Sequence, residues 1–231
     1  MTRRCGYPRR QWNLYSRPMD GKSAELIGCA LGYAIGSIPF GLWMGRATTG
    51  RDVRDQGSGS MGTTNVLRMA GPVVGAAVFG LDVAKGTAAV LGARALGGDR
   101  YAQSAAGIAA VVGHSWPALA RFRGGKSVAT AFGGLLVISP AGSVAALAGG
   151  LGALGASRRM SVGSLAAASA ATVVTGLEWG RNRNLAPFLF TAGVTTVIVF
   201  RHAANIRRLL SGTEPTVSFR RRRAAIAPPP T

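Results

Sequence analysis

The chain has 231 residues, of which 48% are hydrophobic and only 15% charged; an ordinary soluble domain carries about 25% charged residues, so this composition argues for a protein embedded in lipid. The formal charge of +19 is almost all arginine, the lysines being Lys22, Lys85 and Lys126. These arginines fall in short runs between apolar segments of about 20 residues, which fits the positive-inside rule and argues against a soluble basic nucleic-acid-binding domain.

Six apolar stretches follow in chain order: 23–45, 70–96, 101–120, 128–156, 161–179 and 185–200. The fourth is too long for one simple span and is interrupted at Ser139-Pro140, where proline removes a backbone donor and restricts the residue before it. Two short helices are therefore predicted there. The expected fold is all-α and polytopic, with seven transmembrane helices in a membrane domain over 23–210, a basic leader over 1–22 and a basic, proline-ending tail over 211–231.

Loop charge supports seven spans over six. With seven, one face receives Arg46, Arg51, Arg54 and Arg68, then Arg121, Arg123 and Lys126, then Arg158 and Arg159, and finally Arg201, Arg207, Arg208 and the arginines at 220–223. The other face keeps Arg94, Arg100, Arg181 and Arg183. This asymmetry predicts a cytoplasmic C-terminus and cytoplasmic glycine-rich loops. The leader, with Arg3, Arg4, Arg9, Arg10 and Arg17, conflicts with that topology unless the chain starts at Met19 or the leader is a disordered tail. An intact 1–17 peptide from the native host would sink the Met19 start.

Three cation-bearing stretches sit at the ends of these segments. In the first, Gly57-Ser58-Gly59-Ser60-Met61-Gly62 fits a dinucleotide fingerprint in spacing, but the fingerprint needs a preceding strand and here an apolar span precedes it. Gly125-Lys126-Ser127 likewise ends like a phosphate-binding loop of the Walker type, but its first glycine would fall at Ala120. The more general chemistry remains. Glycines Gly57, Gly59 and Gly62 can turn backbone amides onto an anion, Ser58, Thr64 and Asn65 can add donors, and Arg68 offers a planar fork to a phosphate. Gly124-Gly125-Lys126 repeats the logic with an ammonium at the start of a span.

The third stretch holds His202 and Asn205 at i, i+3. Deeper, Asp82 and Lys85 share a helix face and are expected as a structural ion pair, because buried charges must be paired. His114 is expected as a hydrogen-bonded interface residue. Cys5 and Cys29, with only two histidines beside them, leave no framework for a disulfide or a metal cluster, so catalysis without a metal or organic cofactor is expected.

In these motifs the chain resembles the bacterial integral-membrane glycerol-3-phosphate acyltransferases that use acyl-phosphate as donor. The resemblance runs from about Gly36 to Glu214 through Gly36-Ser37-Ile38-Pro39-Phe40-Gly41, Asp52-Val53-Arg54, the 57–65 loop, Val66-Leu67-Arg68, Leu81-Asp82-Val83-Ala84-Lys85-Gly86, Gly113-His114, Phe122-Arg123-Gly124-Gly125-Lys126-Ser127 and the stretch from Arg201-His202 to Thr213-Glu214. It implies a seven-span plasma-membrane enzyme whose cytoplasmic site uses Ser58, Arg68, Lys126, His202 and Asn205, and which transfers a fatty acyl group to the 1-hydroxyl of glycerol 3-phosphate. It also implies a soluble acyl-phosphate-forming enzyme as partner. The family usually has asparagine at Ser60, alanine at Thr63 and glycine at Ser127, departures expected to alter affinity rather than abolish function. Two other readings of the cations are a small transporter or channel for phosphate or another anion, and a membrane-anchored binder of anionic lipid or nucleic acid through the arginines at 220–223.

Overall fold

The computed structural model describes residues 21–217. The leader up to Asp20 with its Met19 start, and the tail from Ser218 with the arginines at 220–223, lie outside the described residues; Gly21 and Lys22, expected in the leader, begin the first helix. Those described form ten α-helices: α1 (Gly21–Gly36), α2 (Phe40–Thr49), α3 (Thr63–Ala70), α4 (Pro72–Ala95), α5 (Arg100–Ser115), α6 (Val128–Ile138), α7 (Pro140–Ser157), α8 (Met160–Asn182), α9 (Ala186–Arg201) and α10 (Ala203–Leu210).

Local chemistry sets most of the boundaries. Pro140 and Pro72 occupy first turns, where a missing amide costs nothing. Ser139 ends α6 and caps α7 by accepting from the Gly142 amide at 3.0 Å. Asp99 caps α5 by accepting from the amides of Tyr101 and Ala102, both at 2.9 Å. The fourth apolar stretch is thus two helices. The first, expected as one unbroken helix, is also two, because Pro39 interrupts it after Ser37-Ile38. In the third, the helix stops at Ser115, and a 3₁₀ turn over Ala118–Ala120 completes the stretch.

Small residues let the helices approach closely, the usual solution where lipid supplies no hydrophobic drive between helices. A Cβ on Gly36 would lie 2.1 Å from the Ala110 carbonyl oxygen, where α1 crosses α5. One on Gly133 would lie 1.9 Å from that of Val83, where α4 crosses α6. The main core gathers Val111, Leu135, Phe190 and Ile198 from α5, α6 and α9. A second core of Leu42, Val53, Met61, Val66, Val78 and Ala120 lies under the 50–62 loop.

Outward, Leu26, Val73, Val144 and Leu177 are exposed apolar side chains, as a lipid-facing surface requires. The segments Lys22–Thr49, Thr63–Ala95 and Met160–Asn182 are each long and apolar enough to cross a membrane, and α9 with α10 forms a further candidate bent by 62°. At 11 residues, α6 is about 16 Å long and falls short of a full crossing by itself.

Candidate active site

The site is built where four loops and helix ends meet. The first loop is a scaffold of internal hydrogen bonds. Asp52 accepts from the Arg54 amide at 2.9 Å and pairs with its guanidinium through Nε at 3.0 Å and Nη2 at 2.7 Å. The third arm, Nη1, donates to the Ala120 carbonyl at 2.8 Å and ties this loop to the turn before Lys126. The Arg54 guanidinium holds the Asp52 carboxyl down at about 2.

Asn65, expected at the phosphate, lines the cavity and also ties the loop together. Its buried amide donates to the carbonyls of Val53 at 2.6 Å and Ser60 at 2.8 Å, and its oxygen accepts from the Ser58 amide at 3.0 Å. Every strong donor it owns is spent holding the loop. Within the same loop the Gly59 amide donates to the Gln56 carbonyl and the Gly62 amide to the Ser60 hydroxyl. Gly57 and Gly59 are glycines because the turn places both at positive φ, +61° and +67°.

The second loop is also held from within. The Gly125 amide donates to the His114 carbonyl at 3.0 Å, and the carbonyls of Gly124 and Gly125 accept from Arg201 at 3.1 and 2.9 Å. A Cβ on Gly125 would lie 2.1 Å from His114 Nε2. Both glycines, expected as phosphate donors, pack closely against His114: a Cβ on Gly124 would lie 2.1 Å from the His114 carbonyl oxygen. Ser127, at φ +61°, adopts a conformation that favours glycine; its buried hydroxyl meets the Ser115 hydroxyl at 2.5 Å and donates to the Val111 carbonyl at 2.8 Å.

Lys126 then projects into the site, where its ammonium donates to Asn205 Oδ1 at 2.6 Å. Asn205 Nδ2 donates to Glu214 at 2.7 Å, and Glu214 also accepts from Ser161 at 2.6 Å and Arg208 at 2.8 Å. Burial pushes Lys126 down to about 8; Glu214 opposes the shift, while Arg208, Arg68 and Arg201 reinforce it. Burial also penalises the Glu214 carboxylate, but its three donors outweigh that and keep it below the usual carboxylate range. His202 sits at the bend between α9 and α10, with Nδ1 2.8 Å from the Ile198 carbonyl. A carbonyl only accepts, so Nδ1 carries the proton and the neutral ring presents Nε2 as a lone pair. Burial and the neighbouring Lys126 push this histidine down to about 4.

Gly57, Ser58, Gly62, Thr64, Asn65, Arg68, Asp82, His114, Lys126, His202 and Asn205 all line one cavity of about 450 Å³. Gly59, Gly124, Gly125 and Lys85 lie outside its walls. Lys85 forms an ion pair with Asp82 at 3.0 Å and donates to the Ile38 carbonyl at 3.0 Å, satisfying an acceptor at the Pro39 break, and it lies 5.8 Å over Phe40. His114 Nδ1 is 3.4 Å from the same Asp82 oxygen.

Ser161, Arg208 and Glu214 also line the cavity, and sequence reasoning missed all three. The available signal was Glu214 itself, a lone carboxylate directly after an arginine-rich helix. Beside the cavity runs an apolar groove of about 210 Å³ between α6, α7, α8 and α9; Phe79, Val128, Ala129, Met160 and Ser164 belong to both.

Residues 26–212 match the family model described as glycerol-3-phosphate acyltransferase. The chain belongs to that family. It is 43% identical over 191 residues to the glycerol-3-phosphate acyltransferase of Prochlorococcus marinus (strain MIT 9313), covering 83% of this chain and 94% of that one. With the enzyme of the same name from Synechococcus sp. (strain CC9902) it shares 39% over 194 residues, 84% of this chain and 96% of the relative. Its fold matches the crystal structure of PlsY (YgiH), an integral membrane glycerol 3-phosphate acyltransferase, in the glycerol 3-phosphate form, with a TM-score of 0.78, 32% identity, and 84% and 96% of the two chains covered. This glycerol-3-phosphate acyltransferase family is an integral-membrane one whose activity serves phospholipid synthesis.

Proposed function

We propose that this chain transfers a fatty acyl group from acyl-phosphate to the 1-hydroxyl of sn-glycerol 3-phosphate, yielding lysophosphatidic acid and inorganic phosphate. The observation that carries the reading is the junction of a cation-lined cavity with an apolar groove through shared wall residues. One compartment suits two phosphate groups and the other an alkyl chain. Solved relatives in glycerol 3-phosphate and lysophosphatidic acid forms support the acceptor and the product.

In this reading Lys126 and Arg68 hold phosphate, Ser58 donates toward the charge developing on the acyl carbonyl, and Asn205 orients the Lys126 ammonium. The hydroxyl oxygen bonds to the acyl carbon, the bond from that carbon to the phosphate oxygen breaks, and the hydroxyl proton passes to a substrate phosphate oxygen. Because acyl-phosphate is a mixed anhydride with a good leaving group, positioning and charge stabilisation supply most of the help needed. His202, neutral above about pH 4, acts as a hydrogen-bond partner.

The topology belongs to the same proposal: seven membrane-embedded segments, namely α1 with α2, α4, α5, α6, α7, α8 and α9, with the site and the C-terminal tail on the cytoplasmic side of a bacterial plasma membrane. Its support is that the segments after α2, α5 and α9, and the first turn of α8 that follows α7, all reach the one cavity, as alternate ends of such a bundle must. A soluble enzyme that makes acyl-phosphate would be the supplying partner. A transporter would place its intramembrane charges along a path, whereas Asp82 and Lys85 close on each other.

Purified protein given palmitoyl phosphate and glycerol 3-phosphate should release lysophosphatidic acid and phosphate in equal amounts. Product only from another donor, such as a palmitoyl thioester, would remove acyl-phosphate from the scheme. Anion flux in liposomes without acyl transfer would favour the transporter.

A further inference from the structure

Lys126 is gripped at both ends of its side chain by residues from one bend. At its tip, the ammonium meets Asn205, three residues past the α9–α10 bend at His202. At its base, the two residues before it are held by Arg201, one residue before that bend. Arg201 Nε donates to the Gly125 carbonyl at 2.9 Å and Nη2 to the Gly124 carbonyl at 3.1 Å. Two parallel donors in a fixed plane are a property of guanidinium that an ammonium lacks. The guanidinium also lies 5.5 Å over the Trp116 ring. That platform is itself secured, since the Trp116 carbonyl accepts from the Tyr33 hydroxyl at 2.9 Å and its ring packs 5.9 Å from Phe200.

The loop has need of such a hold. Gly124 and Gly125 have the widest backbone freedom of any residue, and the flexible four-carbon stem of Lys126 would magnify any drift of its base. Resting on the functional reading above, we propose that Arg201 is a positioning residue: by fixing the Gly124-Gly125 backbone against Trp116 it sets where the Lys126 ammonium stands in the cavity. Its place in a run of cytoplasmic arginines would otherwise mark it as a topology anchor.

The charged and titratable groups around Lys126 are Arg201 and His202 at the bend, Arg208 on α10, Arg68 on α3 and Glu214 beyond α10. Arg201 is one of the cations that lower its pKa, so losing it should move the Lys126 titration upward. The chain's three lysines make this measurable: dimethylate them with ¹³C-formaldehyde, assign Lys126 by the signal lost in Lys126→Arg, and titrate by NMR. In Arg201→Ala the Lys126 titration should rise and the KM for glycerol 3-phosphate should increase about tenfold or more. Arg201→Gln, which keeps a donor but no charge, should recover part of the KM while the titration stays raised; Arg201→Lys should recover part of both.

A folded Arg201→Ala protein with wild-type KM and an unmoved Lys126 titration overturns the proposal. So does a loss that follows a lowered melting temperature while Lys126 titrates as before, since that marks a merely structural arginine. If the wild type transfers no acyl group from acyl-phosphate, the functional reading fails. The tether is then decided by the NMR titration and by the affinity for inorganic phosphate, both expected to change in Arg201→Ala.

Discussion

Lys126 carries the most chemistry of any single side chain here, and its burial makes its charge pH-sensitive in an accessible range. Burial pushes its pKa to about 8, so the protonated form, proposed to hold phosphate, is half gone at that value and drains away above it. The profile of kcat/KM, which reports the free enzyme, should fall with a midpoint near pH 8. The profile of kcat should fall at higher pH, because a bound phosphate stabilises the ammonium. Rates flat to pH 10 would show that the Lys126 charge is not needed. Lys126→Ala removes a charge-assisted contact worth about 1.5 to 3 kcal/mol, and at least a tenfold loss of turnover in folded protein is expected.

His202 sits beside that lysine and obeys the opposite expectation. With its pKa at about 4, it contributes no titration between pH 6 and 7, so His202→Gln should keep the shape of the pH profile and lose activity modestly. A loss of about 10²- to 10⁴-fold together with the disappearance of a titration near neutrality would make His202 the general base.

The element that matters most is the 50–62 loop, whose one regular piece is the short 3₁₀ turn Val53–Asp55 and which depends on side-chain bonds, the Asp52–Arg54 clamp among them. Asp52 has its folded pKa depressed to about 2, below the ordinary carboxylate value near 3.9. The clamp's contribution is therefore complete above about pH 4 and is lost as the pH falls toward 2. Trp116 lies in the segment that Arg54 secures through the Ala120 carbonyl, so its fluorescence should report the loosening in that window in the wild type. Asp52→Asn should show the loosened signal already at neutral pH. A variant whose emission and activity match the wild type at pH 7 would show that the clamp is dispensable.

Much of this element was legible in outline and little in detail. The glycine-rich loop itself was legible, and Gly57 and Gly59 in it occupy positive φ. That Asn65 faces inward could not be read, since an asparagine in a polar loop serves a ligand and a carbonyl equally well. The proline break at Pro39 was readable by the rule applied at Pro140, yet the first stretch was short enough to pass as one span, so nothing forced the question.

On the scale of the whole molecule, four helices decide what the groove can hold. From Met160 to Ala171 on α8 and from Ile198 to Phe190 on α9, the rise is about 12 to 16 Å. An extended chain advances about 1.2 Å per bond, so the groove takes about ten to thirteen carbons. Ala171→Leu, at the far end, should spare octanoyl phosphate and penalise palmitoyl phosphate. Two displaced methylenes at about 0.8 kcal/mol each amount to roughly tenfold in kcat/KM. Equal effects on both donors would mean that the acyl chain lies elsewhere.

The sequence by itself determined the lipid-embedded, all-helical character, the break at Ser139-Pro140 and the set of loops that carry the cations. These depend on composition, proline geometry and charge counts, all of which are local. Only the tertiary structure decided which atoms of those loops face the cavity. The Lys126–Asn205 bond joins residues 79 apart, Arg54 reaches a carbonyl 66 residues away, and Ser161 meets Glu214 across 53. Hydrogen bonds of that separation are chosen by helix packing, so the sequence could name the polar groups but not show that several of them are spent on one another before any phosphate arrives.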